Sequence, residues 1–210
     1  MTDFTTMTKP LGVLLAGGLA RRMGGGDKPL RLLAGRPILD HVIERFQSQC
    51  CMLVLNANGD PGRFSAYDMP VIADTVPDYA GPLAGVLAAM DYCSAHRPDV
   101  TDIVSVATDS PFLPSDLVVR LQQARAEGGT PLACAQSGDR TQPPFGLWPV
   151  SLRDDLRQAL LVEGLRKIDL WTARHGIATA IWPQTPFDPF FNANRPDDLD
   201  DAERIYRNLA

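Results

Sequence analysis

Residues 11–28 read LGVLLAGGLARRMGGGDK, an apolar run of six residues followed by a loop with five glycines. The apolar run predicts a buried strand at residues 11–16, and the glycines exclude a helix directly after it. Glycines let a backbone turn tightly and direct its N–H groups at an anion, while Arg22 and Lys28 add positive charge beside them. The stretch therefore predicts a phosphate-binding loop at the end of the first strand.

The spacing of this loop fits neither of two common phosphate-binding motifs. It lacks the G-x-G-x-x-G pattern of dinucleotide-binding loops. Lys28 follows Asp27 and precedes Pro29, which breaks the G-x-x-x-x-G-K-[ST] pattern. The loop is therefore predicted to bind phosphate in another geometry.

Short hydrophobic runs alternate with longer amphipathic stretches along the rest of the chain, which is the pattern of βα units that build a mostly parallel sheet. Strands are predicted at residues 11–16, 52–55, 70–73, 102–107, 131–136, 145–148 and 177–182. Helices are predicted from Pro37 through Gln47, from Pro82, at residues 114–127, 151–162 and 166–174, and after Pro196. The predicted fold class is α/β: a single-domain, Rossmann-like three-layer sandwich over residues 1–210, with a mostly parallel sheet and helices on both faces.

The composition of the 210-residue chain is that of a folded domain, with 45% hydrophobic and 21% charged residues. Twenty lysines and arginines against 25 acidic residues give a net charge of −5, so no overall positive field attracts nucleic acid. No apolar run approaches the roughly 20 residues of a membrane span, and residues 1–10 lack the features of a signal peptide. The four cysteines show no C-x-x-C spacing and are predicted to be buried, reduced thiols. We therefore expect a cytoplasmic protein with neither nucleic acid nor a membrane as a partner.

Polar residues stand where predicted strands end, with Asn56 after the second strand, Asp74 after the third and Asp109 after the fourth. Ligands of open α/β sheets bind at the carboxyl ends of the strands. A lone carboxylate there suits Mg²⁺, which takes one or two protein oxygens and completes its shell with phosphate and water. Asp109 is thus the predicted magnesium ligand. Asparagine and aspartate are also common turn residues, and that simpler role stays open for all three positions.

These residues resemble a known family, the molybdenum cofactor guanylyltransferases. The likeness begins with LAGG at residues 15–18, RMGG at 22–25 and DK at 27–28. It continues in order with NAN at 56–58, Asp74, GPLAG at 81–85, TDSP at 108–111 and NANRP at 192–196. The resemblance spans nearly the whole chain and is densest over residues 11–113.

The resemblance implies an enzyme that transfers GMP from GTP to the phosphate of molybdopterin, yielding pyrophosphate and a guanine dinucleotide cofactor. It implies catalytic roles for Lys28, Arg22 and Asp109, with Mg²⁺ held by Asp109. The nucleotide-binding residues that it implies are Leu15, Ala16, Gly17, Gly18, Lys28, Asn56, Asp74, Gly85 and Asp109. Asn192 and Asn194 are candidates for contacts to the metal, the phosphate or the acceptor, and their plainer role is to form a turn ahead of the last helix.

The resemblance also assigns the two parts of the chain, with GTP and magnesium bound within about residues 10–113 and the acceptor within about residues 114–210. The pair Gly17 and Gly18 favours GTP over CTP, because related cytidylyltransferases carry alanine near this position. Asp74 is left open between a contact to the base and a contact to the ribose. Further implied partners are molybdenum-insertion proteins and recipient molybdoenzymes or their chaperones.

Two other functions stay open from the sequence. One is a nucleotidyltransferase of the same architecture that uses CTP, or that takes a sugar or alcohol phosphate as its acceptor. The other is a non-catalytic carrier that binds a nucleotide or molybdopterin and hands it on. Lys28 and Asp109 favour turnover over carriage, because binding alone does not require a metal at the α-phosphate.

Overall fold

Strands and helices alternate through most of the computed structural model, which describes residues 8–16, 28–76 and 81–209. The strands are β1 (Leu11–Leu15), β2 (Leu32–Leu33), β3 (Arg36–Pro37), β4 (Met52–Asn56), β5 (Val71–Ile72), β6 (Asp102–Ala107), β7 (Leu132–Ser137), β8 (Arg140–Pro149) and β9 (Ile177–Trp182). The helices are α1 (Ile38–Phe46), α2 (Pro82–His96), α3 (Leu117–Gly128), α4 (Arg153–Leu161), α5 (Ile168–His175) and α6 (Pro196–Leu209). The predicted alternation of strand and helix is confirmed along most of these residues. The short strands β2 and β3 are not among the predicted strands, and Pro37, predicted to begin a helix, lies in β3 just before α1.

One sheet of seven strands, in the order β5-β4-β1-β6-β8-β7-β9, forms the middle of the described structure. Strand β1 pairs in parallel with β4 and β6, β4 with β5, and β7 with β9. Strand β8 is antiparallel to both of its neighbours. The predicted, mostly parallel α/β sheet is therefore confirmed, and β8 is the strand that departs from the parallel pattern.

Helices cover both faces of the sheet, each over its own hydrophobic cluster. Buried side chains of α1, α3 and α6 belong to one cluster, and those of α2, α4 and α5 belong to the other. Strand β1 divides its side chains between them, since Leu14 joins the first cluster while Leu11 and Val13 join the second. This is the alternation of a strand buried on both faces, and it confirms the three-layer sandwich.

The edge of the sheet at which β1, β4, β5 and β6 end is called the carboxyl edge below. These four strands are parallel, so the residues that follow them emerge together. The chain reaches β4 from β1 through α1 on one face, and it reaches β6 through α2 on the other face. The strand order therefore reverses between β1 and β6, which is the position where open α/β sheets bind their ligands.

Three of the four cysteines are buried, and none of the four forms a disulfide bond. Burial raises the pKa of the Cys93 and Cys134 thiols to about 11. Cys51 is exposed, so the prediction of four buried thiols is wrong at this position. It lies in the connection just before β4, where the neighbouring Cys50 takes the inward position. In the described part of the chain, no helix combines the length and the apolar character that crossing a membrane requires.

We expect Gly12→Ala to lower the free energy of unfolding by about 1–3 kcal/mol, because the added methyl group overpacks a closed contact. A Cβ at this position would lie 2.4 Å from Leu53 Cδ2, 2.7 Å from Cys50 Sγ and 2.8 Å from Phe46 Cε1. Urea denaturation measures the change. Gln47→Ala, at an exposed position just after α1, is the control and should change stability by less than about 0.5 kcal/mol. An undiminished stability of Gly12→Ala would contradict the packing of β1 against α1.

Candidate functional site

Lys28 and Asp109 meet at the carboxyl edge, although 81 residues separate them in the chain. Lys28 opens a short 3₁₀ helix after the β1 loop, and Asp109 lies in the turn that follows β6. The Lys28 Nζ donates hydrogen bonds to Asp109 Oδ2 and to Asn194 Oδ1. The side chains of Lys28 and Asp109 are only 18% and 17% exposed. The fold thus brings an ammonium group, a carboxylate and an amide oxygen together where the strand order reverses.

The second carboxylate oxygen of Asp109 has an unusual environment. Asp109 Oδ1 is buried and accepts no hydrogen bond from the described residues. A buried acceptor without a partner costs about 1–3 kcal/mol, and more when it is charged. Native proteins seldom leave such an atom without a partner, so it marks a position where a bound group is expected to supply one.

The segment around Asn192 and Asn194 is fastened to the turn that holds Asp109. The backbone N–H of Ala193 donates to the carbonyl oxygen of Asp109 over 2.9 Å. The Ser110 hydroxyl donates to Asn192 Oδ1. The amide oxygen of Asn192 is therefore already engaged inside the protein, whereas that of Asn194 faces the Lys28 ammonium.

Asp198 in the first turn of α6 fixes the other end of this segment. One of its carboxylate oxygens, Oδ2, accepts from the backbone N–H groups of Asn194 and Arg195, each over 2.7 Å. Such a carboxylate satisfies backbone donors at a helix start and interacts favourably with the helix dipole. Asp198 is not among the predicted site residues, although an acidic residue in the first turn of a helix is a recognisable sequence signal.

A second polar cluster, of Asn56, Asn58 and Asp74, lies where β4 and β5 end. Asn56 Nδ2 donates to Asp74 Oδ1 over 3.0 Å, and Asn58 Nδ2 donates to Asp74 Oδ2 over 2.7 Å. The backbone N–H of Asp74 donates in return to Asn58 Oδ1 over 2.9 Å. Asn56 is only 3% exposed, whereas Asn58 is exposed and Asp74 half-buried. The cluster therefore presents a held carboxylate at the surface of the carboxyl edge.

Gly85 allows α2 to approach this cluster closely. A Cβ at position 85 would lie 2.3 Å from Asn56 Oδ1 and 2.7 Å from Leu15 Cδ2. No side chain larger than a hydrogen atom fits there unless Asn56 moves. The predicted residues Gly85, Asn56 and Leu15 are thus in mutual contact.

Hydrogen bonds along the carboxyl edge connect the two groups of residues. The backbone N–H of Ala16 donates to the carbonyl oxygen of Asn56 over 2.9 Å, and the N–H of Thr108 donates to that of Leu15 over 3.3 Å. The end of β1 therefore stands between the Asn56 side and the Asp109 side. Of the predicted site residues, Gly17, Gly18 and Arg22 lie outside the described residues.

The titratable side chains of the described residues form no cluster of three or more His, Cys, Asp or Glu suited to a metal ion. A metal at Asp109 would therefore have at most two such side chains from this part of the chain and would need oxygen atoms from another source. Mg²⁺ is commonly bound in this way, through one or two carboxylates together with substrate phosphates and water. In this arrangement Asp109 could hold a divalent cation together with a phosphate-bearing ligand that completes the coordination shell.

The class of this protein follows from the fold, the site and a match to a known family. The family described as the MobA-like NTP transferase domain matches residues 12–175, a stretch that contains Lys28, Asp109 and the Asn56 cluster. The protein is a nucleotidyltransferase, a class of enzyme that works with a divalent metal ion.

The comparison with curated relatives narrows the family. A molybdenum cofactor guanylyltransferase of Bradyrhizobium sp. (strain ORS 278) is 58% identical over 205 residues, which cover 98% of this chain and 96% of that protein. The chain belongs to the molybdenum cofactor guanylyltransferase family. The resemblance seen in the motifs of the sequence is thereby confirmed.

Solved structures support the same fold. The molybdopterin-guanine dinucleotide biosynthesis protein A of Archaeoglobus fulgidus superposes with a TM-score of 0.72 and 26% identity, covering 94% of this chain and 99% of that one. A protein of Mycobacterium tuberculosis, solved in complex with manganese, has a TM-score of 0.65 and 18% identity over 95% of this chain and 100% of its own. Because the Mycobacterium tuberculosis protein is only 18% identical, its similarity shows a shared fold and nothing further.

Proposed function

We propose that this protein transfers the GMP part of GTP to the phosphate of molybdopterin. The acceptor oxygen forms a bond to the α-phosphorus of GTP, the bond from that phosphorus to the bridging oxygen breaks, and pyrophosphate leaves. The contact of Lys28 with Asp109 at the carboxyl edge carries the proposal, in a chain that is 58% identical to a relative named for this activity.

The reaction requires alignment of the two substrates and stabilisation of negative charge, and it requires no general base. The attacking phosphate oxygen is already ionised at neutral pH, so no side chain has to remove a proton. The rate enhancement then comes from positioning and from stabilising the charge that develops on the leaving group. Lys28 neutralises the leaving pyrophosphate, and we assign Arg22 the same task from the glycine loop. Backbone N–H groups of Gly17 and Gly18 are proposed to hold the triphosphate. Leu15 and Ala16 lead into this loop and are themselves tied to the sheet, since the N–H of Ala16 donates to the carbonyl oxygen of Asn56 and the carbonyl oxygen of Leu15 accepts from the N–H of Thr108.

Mg²⁺ is the proposed metal, and the residues at Asp109 fit it. The buried Asp109 Oδ1 lacks a hydrogen-bond partner among the described residues, and the oxygens of Asp109 and Asn194 already share one cation, the Lys28 ammonium. Asp109 would hold the metal, with the amide oxygen of Asn194 as a further donor. When bound, the metal supplies charge neutralisation on the phosphates and fixes their orientation. Because Asn192 Oδ1 accepts from Ser110, we assign Asn192 to fastening the loop and to a phosphate or acceptor contact through its remaining amide hydrogens.

The nucleoside is proposed to lie on the β4 and β5 side of the carboxyl edge. The half-buried carboxylate of Asp74, held by two asparagine side chains, is suited to accept from N–H groups of guanine or from hydroxyl groups of the ribose. A pocket that pairs with polar groups discriminates strongly, because a wrong ligand leaves buried groups without partners. Asn56 donates a hydrogen bond to the Asp74 carboxylate, and Gly85 leaves the space that the Asn56 side chain occupies.

The acceptor is proposed to lie on the opposite side, where the loops after β7 and β9 emerge. Phe112 packs against Phe187 and Phe191 with ring centroids 5.5 Å and 6.4 Å apart. This aromatic group adjoins the Asp109 turn, and Phe187 and Phe191 are half-buried. Flat aromatic surfaces suit a pterin ring. Phe187 and Phe191 belong to the proposed acceptor part of about residues 114–210, while Phe112 lies at the end of the proposed nucleotide part of about residues 10–113, so the aromatic group stands at the boundary between the two. Molybdenum-insertion proteins, recipient molybdoenzymes or their chaperones, and the cytoplasm as location stay predictions from the sequence.

We expect Gly85→Ala to raise the KM for GTP by about 10-fold, because its Cβ would displace Asn56, which supports Asp74. Alanine in a helix interior ordinarily stabilises a protein by up to about 1 kcal/mol relative to glycine. Weaker GTP binding in Gly85→Ala would therefore come from the close contact with Asn56 and not from a weakened helix. Steady-state kinetics with varied GTP measure the change. Ala95→Ser, at an exposed position of α2, is the control and should leave the KM for GTP as in the parent. An unaltered KM for GTP in Gly85→Ala would show that the position of Asn56 does not affect nucleotide binding.

The fate of a phosphate label tests the proposed function. The purified protein is incubated with Mg²⁺, molybdopterin and GTP that carries the label either at the α- or at the γ-phosphate. We expect the α-label in the guanine dinucleotide and the γ-label in pyrophosphate. Product from CTP, or from a sugar or alcohol phosphate in place of molybdopterin, would favour another nucleotidyltransferase. Tight binding without release of pyrophosphate would favour a carrier.

A further inference from the structure

The side chain of Asn58 forms two hydrogen bonds with Asp74. Its amide nitrogen donates to the Asp74 carboxylate over 2.7 Å, while its amide oxygen accepts from the Asp74 backbone N–H over 2.9 Å. The side chain of Asn58 therefore joins the loop after β4 to the loop after β5. It fixes both the backbone and the carboxylate orientation of Asp74. In the sequence, Asn58 is part of a motif and has no predicted role of its own.

The turn that contains Asn58 does not depend on this side chain. Arg63 Nη2 donates to the carbonyl oxygen of Asn58 over 2.6 Å, and Arg63 Nε donates to that of Asp60 over 2.9 Å. The Asp60 carboxylate accepts from the Gly62 backbone N–H over 2.8 Å. These contacts hold residues 58–63 through groups other than the Asn58 amide. A purely structural explanation for the Asn58 amide is thus weakened.

The buried side chain of Asn56 holds the other oxygen of the Asp74 carboxylate. Its two amide hydrogens are directed to Asp74 Oδ1 at 3.0 Å and to the carbonyl oxygen of Ile72 at 3.3 Å. Each oxygen of the Asp74 carboxylate thereby receives one amide donor, Asn56 on Oδ1 and Asn58 on Oδ2. A carboxylate has about four acceptor positions, and the described residues occupy two of those on Asp74. The other two are available to ligand donors as far as the described residues are concerned. Only Asn58 among the two asparagines is exposed, which places it at the rim of that position.

We propose that Asn58 is a positioning residue for nucleotide recognition, which it serves by holding the Asp74 carboxylate in the orientation that accepts hydrogen bonds from GTP. This inference rests on the proposed function. It assigns Asn58 no contact with the reacting atoms, so its effect falls on nucleotide affinity. The reason is preorganisation: a carboxylate that is already oriented loses less freedom when the ligand binds.

Equilibrium binding of GTP in the presence of Mg²⁺, measured by calorimetry without acceptor, tests the proposal. We expect Asn58→Ala to weaken GTP binding by about 10-fold, the effect of losing a hydrogen bond to a charged group. In steady-state assays the KM for GTP should rise by a similar factor while kcat stays within about twofold. Asp60→Ala, which alters the same turn without a contact to Asp74, is the matched control and should bind GTP as the parent does.

A double-mutant cycle distinguishes positioning from a direct or merely structural role. In an Asp74→Ala background, Asn58→Ala should weaken GTP binding by less than about twofold, because the group that it positions is gone. An undiminished 10-fold loss in that background would overturn the proposal, as would unaltered GTP affinity of Asn58→Ala in the parent. A parent that binds GTP but forms no dinucleotide would contradict the proposed function and leave this affinity test valid. A parent with no measurable affinity for GTP would overturn both.

Discussion

Asp109→Asn is expected to lower kcat for guanylyl transfer by about 10³-fold, the upper end of what loss of one preorganised charge-stabilising group costs. The substitution keeps the shape of the side chain and removes its charge. The carboxylate stands beside Lys28, and its Oδ1 is buried without a partner among the described residues. A neutral amide there would hold a divalent cation far less well. Pyrophosphate release at saturating GTP and molybdopterin measures the effect.

The matched control for Asp109→Asn lies at the other end of the same strand. Asp102 opens β6 and forms an ion pair with Arg125, far along the strand from the carboxyl edge. Asp102→Asn should therefore leave kcat of the folded protein within about twofold. Its largely buried ion pair is weakened, so urea denaturation is used to record the stability of this variant separately. If Asp109→Asn kept more than a tenth of the parent rate, Asp109 would not hold the metal.

Lys28→Met is expected to lower kcat by about 10²- to 10³-fold and to weaken GTP binding as well. Methionine keeps much of the length of the side chain and removes the ammonium group that faces Asp109 and Asn194. Because Lys28 and Asp109 contact each other and are proposed to act on the same triphosphate, the double variant should lose much less than the product of the two single losses.

The control for Lys28→Met is a lysine remote from the carboxyl edge. Lys9 Nζ donates to the carbonyl oxygen of Ser48 over 2.7 Å, just before β1 begins. Lys9→Met should leave both kcat and the KM for GTP within about twofold. Equal losses in the two variants would mean that general charge, rather than the position of Lys28, governs the reaction.

The fold was predictable where strands are apolar on both faces. Strands β6 (Asp102–Ala107) and β9 (Ile177–Trp182) have the bounds that their hydrophobic runs indicate. The structure extends β8 to Arg140–Pro149, beyond the predicted residues 145–148. Gln142, Pro143 and Pro144 favour a loop in the sequence, because proline cannot donate to a sheet. Residues 143–145 pair with neither β6 nor β7, so the strand accommodates both prolines without losing a ladder hydrogen bond.

The site was predictable as far as local motifs and sheet topology reach. Asp109 follows a parallel strand and Lys28 ends a glycine-rich loop, so both were expected at one edge. The contact of Asn194 with Lys28 spans 166 residues and depends on how the segment before α6 packs against the Asp109 turn. The Asn58 contact with Asp74 depends on the register of β4 and β5. Neither has a signal in local sequence, because asparagine is also the ordinary residue of turns.

A crystal structure of this chain with GTP and Mn²⁺, with the metal located by its anomalous signal, tests the central claim most directly. We expect the metal peak at the Asp109 carboxylate, next to the triphosphate, and the Lys28 ammonium in contact with a phosphate oxygen. A triphosphate bound away from Lys28, or a metal peak remote from Asp109, would contradict it.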